Sequence, residues 1–322
     1  MAFLTAMRAV FLAIPQGHQS LQVTAPAACA GLGLGYVNHS RLGVCGRPHP
    51  EGLVVTFAQG DNGLGLQAGD VVLGADDAAG PELLDRSSRR PFCSDFSSPT
   101  DHHRRETAAA SFFGQVPAGT VLRVRRGTAA PFDVEVPAGS TPQLLSCQDP
   151  LGRAIDFDAR AEVRPDGVAV IRLPRFYPLD GGPPPTTGAE QEAFIAAFQA
   201  KVQAAFDQVK SAPAIVWDVR GNYGGITQVG LAIVAGMPGA QGGDLSSCRA
   251  RIPKTSPPKF YAPKYAEYKV TPGGSFAYGG KVAVVSDGLD YSAADYFALA
   301  VTTFTDVPLV GSATAGAYGG SG

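Results

Sequence analysis

The sequence predicts an α/β protein: a parallel sheet crossed by helices, preceded by a smaller β-rich module. Two observations predict it. Short apolar runs at residues 168–173, 214–219, 281–286 and 308–311 alternate with stretches of helical spacing. Such alternation is the pattern of parallel strands joined by helical crossovers. From about residue 38 to residue 138 the texture differs, with strand-like segments separated by glycine-rich turns and few helical repeats.

Phe3, Leu4, Met7, Val10, Phe11 and Ile14 recur at helical spacing and predict an amphipathic helix that stops near Pro15. The stretch has the look of a signal peptide, but Arg8 interrupts it and no clear cleavage site follows, so the helix is assigned to the fold. Gly52–Phe57 reads as a strand, and Gly119–Gly127 alternates as a half-exposed strand does, with closing strands continuing down to Phe132–Val136. Residues 85–106 are polar, with Arg89, Arg90, Asp101, His102, His103, Arg104 and Arg105, and read as a looped insertion. His39, His49, His102 and His103 lack any motif context; the adjacent His102 and His103 have no ligand cluster around them, and no metal site is expected.

The second half opens with a strand at 168–173 and a loop rich in Gly, Pro and Thr from Asp180 to Gly188. Phe194, Phe198, Val202, Phe206 and Val209 then define a helix packed on the sheet. Pro213–Val219 reads as a buried strand running into Arg220-Gly221-Asn222-Tyr223-Gly224-Gly225, where three glycines in six residues make a tight turn able to approach a ligand closely. A helical stretch from Ile226 to Ala235 follows, and residues 240–280 read as an irregular, basic connection. Lys281–Ser286 is again a strand, and Ser292 opens a helix running to about Thr303. A serine there sits among free backbone N–H groups at the positive helix end, a good place to stabilise an oxyanion. Ser292-x-x-Asp295 equally fits a capping box, in which Ser292 merely caps the helix.

Length of 322 residues suits about two domains, 45% hydrophobic and 17% charged residues suit real cores, and with a net charge of -2 nothing points to nucleic acid. No apolar run is long enough to span a membrane. Five cysteines (Cys29, Cys45, Cys93, Cys147, Cys248) lack zinc spacing; one or two disulfides in an oxidising compartment are expected, with the pairing open.

Three motifs now stand in order: Asp218-Val219-Arg220-Gly221-Asn222-Tyr223-Gly224-Gly225, Ser292-Ala293-Ala294-Asp295 and Val310-Gly311-Ser312-Ala313-Thr314-Ala315-Gly316. Together they resemble the S41 family of serine peptidases, the tail-specific or C-terminal processing proteases, with Asp295 standing where the family has Glu. The resemblance implies a core of the ClpP/crotonase type over 141–322, with material expected beyond both ends of this chain. It implies Ser292 as nucleophile, the backbone N–H groups of Gly224 and Ala293 as oxyanion donors, and Asp218, Arg220, Asn222, Gly225 and Asp295 as supporting motif residues. The processing proteases carry a base lysine just after Thr-x-Gly; here that place is Ala317. A branch resembling the tricorn core protease uses histidine instead, and Gly17-His18-Gln19 is similar to its Gly-His-Thr, which makes His18 the expected base and residues 1–37 part of the peptidase region. The orienting glutamate of that branch lies downstream of the nucleophile, beyond Gly322. Asn62–Ala75 resembles the PDZ signature, giving a PDZ-like domain over 38–140 that would take a peptide C-terminus.

The function so implied is a serine endopeptidase acting on polypeptides without metal or cofactor, in the bacterial periplasm, the cell envelope or outside the cell. The alternatives are an inactive relative that binds peptides or apolar ligands, and an esterase on the same scaffold.

Overall fold

A computed structural model describes residues 20–22, 38–88, 94–96, 98–138, 145–152, 159–177, 188–247, 249–261 and 267–318. The helix expected over Phe3–Ile14 and the Gly17-His18-Gln19 segment lie outside the described residues, as do Cys29, Cys93 and Cys248. The chain divides into two compact units, Met1–Ile155 and Asp156–Gly322. No helix among the described residues is long and apolar enough to cross a membrane.

The first unit contains β1 (Ser20–Gln22), β2 (His39–Ser40), β3 (Val44–His49), β4 (Gly52–Ala58), β5 (Val71–Ala75), β6 (Ala78–Ala79), α1 (Glu82–Ser88), β7 (Ser94–Phe96), α2 (Asp101–Gln115), β8 (Val121–Arg125), β9 (Phe132–Glu135) and β10 (Leu145–Ser146). Its main sheet runs β3-β4-β5-β8-β9, with β6 on β5, and every pairing is antiparallel. Leu53, Val55, Val72, Leu122 and Val124 of the sheet pack against Ala109, Phe112 and Phe113 of α2. The loop expected over 85–106 is therefore corrected at both ends, which are helical. Thr100 caps α2 by accepting from the His103 N–H. The polar residues that suggested a loop form ion pairs there: Arg104 with Asp85 at 3.2 Å, and the largely buried Arg47 with Glu106 at 3.7 Å. Asp70 of the Gly-Asp signature is buried and is gripped by the Arg126 guanidinium through two 2.8 Å bonds. Cys45 on β3 is disulfide-bonded to Cys147, 102 residues away in sequence.

The second unit contains β11 (Arg160–Val163), β12 (Ala169–Arg172), α3 (Gly188–Val209), β13 (Ala214–Asp218), α4 (Thr227–Ala235), β14 (Gly243–Ser247), β15 (Ala250–Arg251), β16 (Phe260–Tyr261), β17 (Glu267–Val270), β18 (Lys281–Ser286), α5 (Ala293–Phe304) and β19 (Leu309–Gly311). The sheet order is β11-β12-β13-β18-β19. The four expected strands, β12, β13, β18 and β19, are parallel neighbours, and β11 adds an antiparallel edge. Phe198, Val202, Phe206 and Val209 are the buried face of α3, as their spacing predicts. Phe206 stacks on Trp217 of β13 with ring centroids 6.3 Å apart, and both meet Phe276 edge-on. Losing one such ring typically costs about 3–5 kcal/mol. The irregular reading of 240–280 is corrected too: β14 pairs with β17 and β15 with β16, both antiparallel. The β15–β16 hairpin is exposed from Arg251 to Tyr261 apart from a half-buried Thr255, so no buried face gave it a pattern to read.

Candidate active site

Both turns singled out in the sequence follow the carboxyl ends of central parallel strands, where sites of open α/β sheets form. The first turn leaves β13. Buried Asp218 binds the Arg220 guanidinium through two bonds of 2.8 Å and also accepts the Arg220 backbone N–H at 3.2 Å. This two-pronged pair folds the chain back on itself directly after the strand. Asn222, fully buried, ties the turn to its surroundings: Nδ2 donates to the Leu173 carbonyl at 2.7 Å, and Oδ1 accepts the Gly224 N–H at 2.7 Å. Gly224 and Gly225 have φ of 91° and 130°. A Cβ on Gly224 would lie 2.5 Å from the Tyr291 carbonyl oxygen and 2.7 Å from both Ala293 N and Ser292 Cβ. A Cβ on Gly225 would lie 2.3 Å from the Phe176 carbonyl oxygen. Only glycine permits these two approaches.

The second turn leaves β18 and enters α5 through Ser292, whose φ is 58° and ψ -113°. A side-chain-bearing residue held at positive φ costs about 1–3 kcal/mol and persists only where its surroundings impose it. The Ser292 hydroxyl makes no capping hydrogen bond to α5. The other half of the capping box is present, because the Asp295 carboxylate accepts the Ser292 backbone N–H. Asp295, fully buried, also accepts the N–H groups of Gly316 at 2.7 Å and Ala317 at 2.9 Å, and a bond from the Thr314 side chain. Burial pushes its carboxyl above the usual range, against the opposing pull of these four donors. Asp295 thus does more than close a capping box: it fastens residues 314–317 to the start of α5. Ala317, at the place of the family lysine, is buried against Tyr291 and Ala315.

Sequence reasoning passed over two carboxylates between β18 and Ser292. Asp287 Oδ1 accepts the N–H of Gly221 at 3.0 Å, and Asp290 Oδ1 accepts that of Asn222 at 3.0 Å. Asp290 Oδ2 accepts the Asp287 N–H at 3.1 Å, and the Asn222 carbonyl accepts the Tyr291 N–H at 2.8 Å. Asp290 is wholly buried; burial first, and Asp287 next, push its carboxyl well above the ordinary carboxylate range. The available signal was Asp-x-x-Asp immediately before the candidate serine, a spacing that ordinary turn chemistry also explains.

The structure thus brings together Gly224, Ser292 and Ala293, with Asp218, Arg220, Asn222 and Gly225 shaping one side and Asp295 the other. His18 lies outside the described residues. Residues 167–321 match the model of Peptidase family S41. No curated protein matches the chain. Among solved structures, mature CPAF complexed with lactacystin is similar at 16% identity with a TM-score of 0.53, covering 87% of this chain and 70% of that one. A second structure of mature CPAF is similar at 16% identity and the same TM-score, covering 87% and 69%. At this identity the likeness is one of fold. The motif order, the parallel sheet and the profile match agree, and residues 167–321 of this chain carry the region that matches peptidase family S41.

Proposed function

We propose that the chain is a serine peptidase that cleaves polypeptides through an acyl-enzyme on Ser292. The observation that carries this reading is the conformation of Ser292: a positive φ at a strand-to-helix turn, with a hydroxyl that does not cap the helix. A strained turn of this kind presents a nucleophile at the top of a sheet. Ser292 Oγ attacks the peptide carbonyl, His18 takes its proton and later gives it to the leaving amine, and water completes hydrolysis of the ester. The role of His18 rests on the sequence pattern around it. The Ala293 N–H at the start of α5 faces the oxyanion, and the Gly224 N–H is the second donor. In the structure that N–H is bonded to Asn222 Oδ1, so substrate would share or displace this bond. The first unit would recruit the substrate C-terminus in the manner of a PDZ domain, and the Cys45–Cys147 disulfide supports a cell-envelope or secreted location.

The test is labelling with a fluorophosphonate, and with lactacystin as the compound bound by the similar CPAF structure, followed by mass-spectrometric mapping. Modification at Ser292, lost in Ser292→Ala, supports the reading. Modification elsewhere, or none on folded protein, removes it and leaves the non-catalytic binding alternative. Small-ester turnover without peptide cleavage would instead favour the esterase. His18→Ala should slow acylation by about 10²–10⁴-fold.

A further inference from the structure

We infer that Asp290 is a positioning residue that sets the register of the glycine turn against the nucleophile turn, and so the alignment of the two oxyanion donors. This rests on the reading of Ser292 as nucleophile. Gly224 and Ala293 belong to turns that follow different strands, 69 residues apart in sequence. Their backbones approach closely enough to exclude a Cβ, and side-chain and backbone bonds tie them together. The connections are Asn222 N–H to Asp290 Oδ1, Gly221 N–H to Asp287 Oδ1 and Tyr291 N–H to the Asn222 carbonyl. Asp290 reaches three segments. Its Oδ1 takes the glycine turn, its Oδ2 takes the Asp287 N–H of its own turn, and its carbonyl accepts the Ala315 N–H at 2.9 Å. It stands two positions before Ser292, so a shift of its side-chain bonds moves both donors relative to one another.

Neither oxygen of Asp290 needs a negative charge for this task, since both partners are backbone N–H groups. Burial first, and then the neighbouring acids Asp287 and Asp295, disfavour a charge there. The side chain therefore acts by shape and acceptor position, and an amide can take over the Asn222 bond.

The experiment measures kcat and KM on a peptide substrate for the wild-type chain, Asp290→Ala and Asp290→Asn, with amide hydrogen exchange followed over residues 219–225. Asp290→Ala should lower kcat by about 10²-fold, the usual effect of a 1 Å misplacement, with KM within about threefold. It should also speed exchange at Asn222. Asp290→Asn should recover most of kcat and of the protection. Unchanged kcat in Asp290→Ala, or a loss that merely tracks the fraction folded, overturns the proposal while leaving Ser292 as nucleophile. Faster exchange without any kcat effect also overturns it. A wild-type chain that is folded but turns over no substrate removes the peptidase reading itself.

Discussion

Gly224→Ala isolates the close approach of the two turns. The new Cβ would sit 2.5 Å from the Tyr291 oxygen and 2.7 Å from Ala293 N, against an ordinary contact of at least 3.4 Å. The turns must therefore separate by about 0.9 Å, and the atoms in the way are largely backbone, which cannot swing aside. Two terms add. Placing alanine at φ 91° costs about 1–2 kcal/mol, and the steric insertion costs about 1–3 kcal/mol more. Gly167→Ala supplies the control for the first term, since Gly167 has φ 82° and nothing within 4 Å of its Cβ position. Urea unfolding should show Gly167→Ala destabilised by about 1–2 kcal/mol and Gly224→Ala by about 2–5 kcal/mol. Displacement on this scale should also slow fluorophosphonate labelling about 10²-fold. Equal stability losses in the two variants would show that the glycine turn does not abut Ser292, and the geometric case for the site would fall with it.

Other perturbations read separate features. Ser292→Gly should raise the stability of the second unit by about 1 kcal/mol, because glycine accepts a positive φ at little cost; a loss of stability in thermal unfolding would refute the strain assigned there. Reduction of Cys45–Cys147, or Cys147→Ser, should destabilise the first unit by up to about 4–5 kcal/mol, the chain-entropy value for a loop near 100 residues. Calorimetry with and without reductant checks this, and an unmoved transition would mean the thiols are not bridged. Burial, then His102, lowers the His103 imidazole to about 4. The unfolded chain takes up its proton near pH 6.5, so stability of the first unit should fall as pH drops from 6.5 towards 4, by up to about 3 kcal/mol. His103→Leu should flatten that slope in unfolding measured against pH, and an unaltered slope would assign it to other groups.

The parallel strands and α3 to α5 were legible because they form short apolar runs or carry an apolar stripe. Trp217 and Phe206 sit where a run of five or a spacing of four places them. The features that escaped have weaker physical signatures. Of the α2 side chains, the polar residues come first and the buried Ala108–Phe113 only afterwards, so the composition of 85–106 masks a helix whose cap, Thr100, is a common residue. β11 and the β15–β16 hairpin have little or no buried face to impose alternation. At the site, Ser292, Gly224 and the motif residues were legible by pattern. The capping-box ambiguity was not decidable from residue types, because the outcome depends on the φ of Ser292 and on which half of the box forms. Asp287 and Asp290 were invisible for a related reason: their partners are backbone N–H groups contributed by a loop distant in sequence.

The bonds from Asp295 to Gly316 and Ala317, and from the Ala315 N–H to the Asp290 carbonyl, have a temporal consequence. During synthesis, at about 5–20 residues per second, Ser292 leaves the ribosome before the segment that fastens its turn. A nascent chain that has just exposed the serine lacks those three anchors, and the strained backbone at Ser292 has less to hold it. The Ser292 turn is consequently locked only once residues 315–317 are made, some two dozen residues after Ser292. The positive φ at Ser292 is therefore imposed by chain made after it, through the segment that follows β19.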